Sequence, residues 1–154
     1  MNKVRVILVE EHAILSEIIR EFIARMPDVE VLAEVRDGRE VPELVQRLEP
    51  DILIVDIHLH GVSSAEIIRK LTDAKRHVQI LVLADFADWA FLQLFLGELN
   101  VSGYILKDEG LEILVKAIRS IALGELEWLK ERASYQLEQV IKDSAGRKGN
   151  SKSR

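Results

Sequence analysis

Five short runs of apolar residues divide the chain into regular segments. The runs cover residues 4–9, 29–35, 52–55, 80–84 and 104–106. Most of them are continuous rather than alternating, which is typical of parallel strands that are covered on both faces. We therefore expect five buried parallel strands.

Helical patterns separate these runs, and they cover about residues 13–25, 39–48, 64–71, 87–99 and 110–123. In the first pattern an apolar stripe is formed by Ile14, Ile18, Phe22 and Ile23. Five alternations of strand and helix predict an α/β protein with an open parallel sheet and right-handed crossovers. The expected fold is a flavodoxin-like (βα)5 parallel sheet with strand order 2-1-3-4-5 and an extra C-terminal helix.

A sixth helical pattern covers residues 125–141 and repeats apolar residues at spacings of three and four. Its apolar stripe either packs on the chain's own domain or forms a dimerising or signal-carrying linker helix. Residues 142–154 contain one apolar residue, Ala145, and carry a net charge of +4, so we expect a flexible basic linker or tail there. The predicted units are therefore residues 1–124, 125–141 and 142–154.

Composition narrows the class of protein. The 154 residues include no cysteine, which excludes disulfides, thiol nucleophiles and cysteine-based metal sites. No apolar run approaches the roughly 18–20 residues that span a bilayer, so we expect a cytoplasmic protein with no membrane partner. The net charge is −5, and the first 141 residues carry −9, which argues against direct nucleic-acid binding by this part of the chain.

Acidic residues and one lysine follow the apolar runs. Glu10 and Glu11 follow the first run, Asp56 the third, Asp85 the fourth and Lys107 the fifth. Ligands of open α/β sheets lie beyond the carboxyl ends of the strands, so Glu10, Glu11 and Asp56 should converge near the lysine. Crowded carboxylates repel one another unless a cation joins them, and a site made of oxygens suits Mg²⁺ or Mn²⁺. A carboxylate beside such an ion and a lysine is a candidate phosphoryl acceptor.

Other signatures of enzymes are missing from the sequence. No glycine-rich dinucleotide motif or P-loop follows the first run, and no hydrolase nucleophile elbow occurs. The side chains of His58 and His60 would point in opposite directions in an extended loop, so we do not expect them to hold a metal together. His12 is expected to be a surface or helix-start residue rather than a base.

Three segments together resemble the receiver domain of two-component response regulators. They are VRVILVEEH (4–12), PDILIVDIHLHG (50–61) and VSGYILKDE (101–109). The resemblance covers about residues 2–124. Within the family, the three segments are most similar to the NarL/FixJ (LuxR-type) group, in which a receiver precedes a helix-turn-helix DNA-binding domain. It implies a CheY-like fold that is phosphorylated by a sensor histidine kinase or a small phosphodonor.

The resemblance also implies roles for individual residues. Asp56 would be the phosphoacceptor, and Lys107 would contact the phosphoryl group. Glu10 and Glu11 occupy the positions of the family's acidic pair, of which the second normally ligates Mg²⁺ directly. The backbone carbonyl of His58 would be a further ligand.

Three features depart from the family's pattern. Both members of the acidic pair are glutamates, whose extra methylene moves the carboxylate outward, and Mg²⁺ tolerates little error at about 2.0–2.1 Å. Ala84 or Asp85 takes the place of the usual Ser/Thr and lacks its hydroxyl, and His60 stands where a proline is normal. Tyr104 keeps the place of the switch aromatic. These departures predict slow phosphotransfer or a weakly coupled switch.

The fourth helix is apolar nearly all round, in the segment FADWAFLQLFLGEL (86–99). Because such a helix must be buried on two sides, we expect a second interface, either with another protomer or with the sixth helix. The aromatic residues expected at its centre are Trp89, Phe91 and Phe95. Our hypothesis is a homodimer.

The leading functional hypothesis is a regulatory domain that accepts a phosphoryl group on Asp56 and switches a protein interface. It would control a DNA-binding output domain that is absent from this chain, and DNA would be reached only through that domain. The alternative is a degenerate, phosphorylation-independent receiver that acts as a dimerisation or docking module. A metal-dependent phosphatase on the same fold is disfavoured, because the chain has no extra general base or lid segment. The chain is expected to be a fragment of a longer regulator rather than a stand-alone receiver.

Overall fold

The five apolar runs form one parallel sheet in the computed structural model, which describes residues 2–74, 77–97 and 101–152. Within those residues the sheet has five strands in the order β2-β1-β3-β4-β5. The strands are β1 (Val4–Val9), β2 (Val29–Val35), β3 (Ile52–Asp56), β4 (Gln79–Ala84) and β5 (Gly103–Leu106). The predicted fold class and strand order are confirmed.

Helices connect the strands and follow the last of them. They are α1 (Ala13–Ala24), α2 (Val41–Leu48), α3 (Ser64–Asp73), α4 (Trp89–Gly97), α5 (Leu111–Ala122) and α6 (Glu127–Lys152). Polar side chains define two of the starts: Ser63 Oγ accepts the Glu66 N–H before α3, and Asp88 Oδ1 accepts the Phe91 N–H before α4. In the part of the chain that the structure describes, no helix combines the length and the apolar character needed to cross a bilayer.

Alternate residues of each strand face two different layers of the core. In β1, Ile7 and Val9 pack in the layer that also contains residues of α2, α3 and α4, whereas Val6 and Leu8 pack in the layer of α1 and α5. All four side chains are fully buried. The continuous apolar runs of the sequence follow from this burial on both faces.

The register of the central strands brings their carboxyl ends to the same edge of the sheet. Val9 pairs with Val55, and Asp56, the last residue of β3, pairs with Leu83 near the end of β4. The residue that follows Val9 and the carboxylate at the end of β3 are therefore neighbours. This edge holds the polar residues singled out from the sequence.

The sixth helix covers the free side of β5, the outermost strand. It packs against α4 and β5, and its residues Leu129 and Ala133 are fully buried. Gly103 permits this approach, because a Cβ atom there would lie 2.9 Å from Leu81 Cδ1 and 3.1 Å from Leu129 Cδ1. Of the two placements left open for the apolar stripe, the structure therefore shows packing on the chain's own domain.

The sixth helix also continues past its predicted end at residue 141. It runs to Lys152 and includes most of the segment that we expected to be a flexible tail. The side chains of residues 142–146 are exposed, so this part of the helix is not held by packing. The prediction rested on a lack of apolar residues, which excludes burial but does not exclude a helix that backbone hydrogen bonds extend.

The second side of α4 is covered by α6. Phe91 is buried in the core, and its ring centroid lies 5.9 Å from that of Tyr104. Phe91 thus belongs to the core and not to an exposed interface, because the sixth helix supplies the second cover that the helix needed. The side chains of Trp89 and Phe95, also expected at the interface, lie outside the described part of the structure.

We predict that Leu129→Ala lowers the free energy of unfolding by about 2–5 kcal/mol, because it removes a fully buried side chain from the contact between α6 and the sheet. Leu123→Ala is the matched control, since Leu123 is 72% exposed, and should change stability by less than about 0.5 kcal/mol. Urea unfolding curves measure both effects. Equal unfolding midpoints for the two variants would contradict the role given to Leu129.

Candidate functional site

Three charged side chains meet at the carboxyl ends of β1, β3 and β5. Glu10 directly follows β1, Asp56 ends β3, and Lys107 directly follows β5. The Lys107 Nζ lies 2.8 Å from Asp56 Oδ2 and 3.1 Å from Glu10 Oε2. Both carboxylates are fully buried. The sequence-based expectation that these three residues lie together thus agrees with the geometry.

The loop after β3 holds the Asp56 carboxylate in place. The His58 backbone N–H donates a hydrogen bond of 2.9 Å to Asp56 Oδ1, while the other carboxylate oxygen faces the lysine. The Ser64 hydroxyl, in the first turn of α3, donates to the backbone carbonyl of Asp56. The sequence predicts Ser63 or Ser64 as the N-cap of this helix, and the structure gives that place to Ser63. The contact of Ser64 with Asp56 has no signal in the sequence.

The charges in this cluster do not balance. Burial disfavours the charged Lys107 ammonium, but the hydrogen bond and attraction from Asp56 and the attraction from Glu10 outweigh it and raise the pKa of Lys107. One ammonium serves two carboxylates, and Asp85 adds a third carboxylate 3.6 Å from Lys107 Nζ. Acidic groups therefore outnumber basic ones around this lysine.

Glu11 does not join the cluster, contrary to our expectation. Its two carboxylate oxygens contact His60 instead, one at the backbone N–H and the other at the ring Nδ1. Burial favours the neutral form of Glu11, but these hydrogen bonds outweigh it and lower the pKa of Glu11. Glu11 is thus held by the loop after β3.

A magnesium or manganese ion therefore finds only part of the expected ligand set. The oxygens of Glu10 and Asp56 lie close together, and His12, at the start of α1, brings its ring nitrogen to within 4.8 Å of an oxygen from each. His12 Nδ1 lies 2.9 Å from Glu10 Oε1, a contact that nothing in the sequence indicates. The two buried carboxylates offer oxygen atoms of the kind that hard divalent cations prefer.

The residues of the predicted switch differ in burial and in their contacts. Ala84 is fully buried at the end of β4, whereas Asp85 is exposed and places its Oδ1 3.6 Å from Lys107 Nζ. Neither residue supplies a hydroxyl. Tyr104 is fully buried, and its hydroxyl accepts the Asp88 N–H and donates to the Phe86 carbonyl, both at 3.0 Å. Tyr104 thereby ties the loop between β4 and α4 to β5.

The turn that carries Lys107 is also joined to α6. The turn is a short 3-10 segment, Lys107–Glu109, whose last residue accepts the Leu106 N–H at Oε2 and pairs with Arg132 of α6 at Oε1. On the neighbouring turn of α6, the Trp128 ring lies 4.7 Å from Lys116 Nζ of α5. The sequence offered no signal for these contacts, because each joins residues from different elements.

Comparison with known proteins agrees with this architecture. The model of the response regulator receiver domain matches residues 6–119. The chain is 30% identical over 123 residues to the transcriptional regulatory protein DegU of Brevibacillus brevis, an alignment that covers 80% of this chain and 52% of that protein. The chain therefore belongs to the response regulator receiver domain family. It spans about half the length of that curated relative.

Solved structures of response regulators resemble the whole fold, including part of α6. A LuxR-family regulator from Aurantimonas sp. SI85-9A1 has a TM-score of 0.78 and 28% identity, with 90% of this chain and 97% of that chain covered. RcsB from Salmonella enterica serovar Typhimurium, solved bound to a promoter with a phosphomimetic, has a TM-score of 0.76 and 25% identity. That similarity covers 94% of this chain and 68% of the RcsB chain.

We predict that Tyr104→Phe lowers the free energy of unfolding at pH 8 by about 1–3 kcal/mol, because the part-buried Asp88 N–H and Phe86 carbonyl lose their partner. Burial raises the pKa of Tyr104 to about 12 from 10.0. The wild-type protein should therefore lose about 2–3 kcal/mol of stability as the pH rises from about 10 to 12, since the unfolded phenol ionises first. The phenylalanine variant lacks this loss.

Chemical unfolding at pH 8 and at closely spaced pH values up to 12 measures the difference between the two proteins. Tyr135→Phe is the control, because Tyr135 is 63% exposed, and it should leave stability at pH 8 nearly unchanged. A gap between wild type and Tyr104→Phe that stays constant up to pH 12 would rule out the buried, protonated phenol.

Proposed function

We propose that this chain is a phosphoacceptor receiver of the NarL/LuxR type, with Asp56 as the acceptor. The observation that carries the proposal is the pairing of the buried Asp56 carboxylate with Lys107 Nζ at 2.8 Å and with the His58 N–H at 2.9 Å. These donors hold a carboxylate at the ligand-binding edge of the sheet and can stabilise negative charge on an incoming phosphoryl group.

The proposed transfer uses a phosphohistidine of a sensor histidine kinase, or a small phosphodonor, as the source. A carboxylate oxygen of Asp56 forms a bond to phosphorus while the bond from phosphorus to the imidazole nitrogen breaks, and the electron pair stays on that nitrogen. Lys107 neutralises part of the charge on the transferred group. The product is an aspartyl phosphate on Asp56.

Glu10 and Asp56 would hold a Mg²⁺ or Mn²⁺ ion, together with the His58 backbone carbonyl and, once released, Glu11. Such an ion neutralises phosphoryl oxygens during transfer. The excess of carboxylates over ammonium groups in the cluster supports this assignment. No residue is required as a separate general base, because an ionised carboxylate is already the nucleophile.

Phosphorylation would act on the rest of the protein through Lys107. A phosphoryl group competes with Glu10 and Asp85 for this ammonium, and the turn that carries it also carries Glu109, which pairs with Arg132 of α6. Tyr104, three residues earlier, holds the loop before α4. We propose that movement of this turn changes the surface formed by α4 and α6.

We further propose that this surface pairs two copies of the chain and controls an output domain that binds DNA, in the cytoplasm. The name of DegU as a transcriptional regulatory protein and the promoter-bound state of RcsB support this proposal. The homodimer stays a prediction, and Phe91 can take no part in it without leaving the core.

A phosphorylation-independent docking module is the second candidate. The contact between Glu11 and His60 and the absence of a hydroxyl at Ala84 or Asp85 favour it, because both remove groups that the family uses for phosphotransfer. In that case the same surface of α4 and α6 would bind its partner constitutively. Phosphorylation of Asp56 separates the two candidates directly.

We predict that the protein gains the mass of one phosphoryl group when it is treated with acetyl phosphate and Mg²⁺. Asp56→Asn should abolish the gain, because an amide cannot act as the nucleophile. Asp73→Asn is the matched control and should retain it, since Asp73 lies exposed at the end of α3. Intact-protein mass spectrometry measures all three. A gain that survives Asp56→Asn, or no gain in the wild type, would overturn the phosphoacceptor proposal.

We predict that Asp85→Asn accelerates phosphorylation by acetyl phosphate by up to about fivefold, because it removes a negative charge 3.6 Å from Lys107 Nζ. The effect is modest because Asp85 is exposed. Asp108→Asn makes the same change of charge at an exposed residue beside Lys107 and serves as the control. Identical rates for the two variants would show that the Asp85 carboxylate has no specific influence.

A further inference from the structure

The loop after β3 is bound to Glu11, the residue that follows Glu10. Both oxygens of the Glu11 carboxylate are occupied by His60, one by its backbone N–H and the other by its ring Nδ1. The contact spans 49 residues of sequence and connects the end of β1 with the loop between Asp56 and α3. Since the His60 side chain is 95% exposed and Glu11 only 16%, it is the histidine that can leave into solvent.

The contact with His60 keeps Glu11 out of the neighbouring cluster of Glu10, Asp56 and Lys107. Glu10 and Asp56 are fully buried, and Lys107 is the ammonium that they share. A divalent cation would gain these two carboxylates without rearranging them. It would gain Glu11 only if that carboxylate turned away from His60, because the group of ligand atoms that lie within 4.8 Å of one another contains Glu10, His12 and Asp56 but not Glu11.

We propose that His60 and a divalent cation compete for Glu11. In the cation-free protein, His60 holds the carboxylate and fastens the loop after β3. When the cation takes Glu11, the loop is released. Binding of the cation and release of the loop are then coupled. By linkage, each of the two events favours the other. This inference rests on the proposed function, because it assumes that the acidic edge binds a cation.

The chemistry of the contact sets the size of the effect. The ring contact is exposed, whereas the backbone N–H bonds to a charged acceptor, so the two should weaken cation binding by about 3- to 30-fold in total. His60→Ala removes only the ring, and His60→Pro removes both the ring and the backbone donor. The affinity for the cation should therefore rise in the order wild type, His60→Ala, His60→Pro.

Isothermal titration with Mn²⁺ and with Mg²⁺ measures this order on the intact chain. His77→Ala is the matched control, because His77 is also an exposed histidine but lies before the start of β4, at the end of the strand away from the site. The affinity of this variant for the cation should equal that of the wild type. In a Glu11→Gln background, His60→Ala should no longer tighten binding. Circular dichroism verifies that each variant is folded.

The outcomes separate the inference from the function on which it rests. Binding that depends on Asp56 but has the same affinity in wild type, His60→Ala and His60→Pro would overturn the competition and leave the cation site intact. Tighter binding in the His60 variants that persists in Asp56→Asn would also overturn it, because the cation would then lie elsewhere. No binding in any protein, including His60→Pro, would overturn the cation site of the proposed function and the inference together.

Discussion

Two buried carboxylates share one ammonium group at the carboxyl ends of three strands, and the local structure depends on this arrangement. Glu10 and Asp56 have no exposed surface, and removing such charges from water costs several kcal/mol each. Lys107 compensates this cost from β5, and the His58 N–H contributes a hydrogen bond. The three strands must therefore end at the same edge, so the strand order that forms the core is also a condition for burying these charges.

The sequence was sufficient to predict the sheet and the proximity of Glu10, Asp56 and Lys107. Apolar runs locate the strands, and the residues that follow parallel strands lie at the same edge of the sheet. The sequence was insufficient for Glu11, whose direction is decided by His60, a residue 49 positions away in another loop. It was also insufficient for Phe91, because a helix that is apolar all round carries no pattern that tells which side faces the core and which side faces another helix.

The same turn of chain connects the charged cluster to the outer helices. Glu109 follows Lys107 by two residues and pairs with Arg132, so α6 is attached to the segment that supplies the compensating charge. Tyr104 attaches the loop before α4 to the same strand through two hydrogen bonds. The turn that carries Lys107 is thus in polar contact with α6, and β5, which precedes it, is in polar contact with the loop before α4.

The packing of α6 on β5 has a consequence for the behaviour of the protein at high concentration. An outermost strand carries a row of backbone donors and acceptors that can recruit a strand from another molecule, which is a common start of aggregation. Here Leu129 and Ala133 are buried beside that strand, and Gly103 lets the helix approach closely. The sixth helix thereby shields β5 from intermolecular strand pairing. A shortened receiver that ends before Glu127 would expose the unpaired edge of β5 to other molecules.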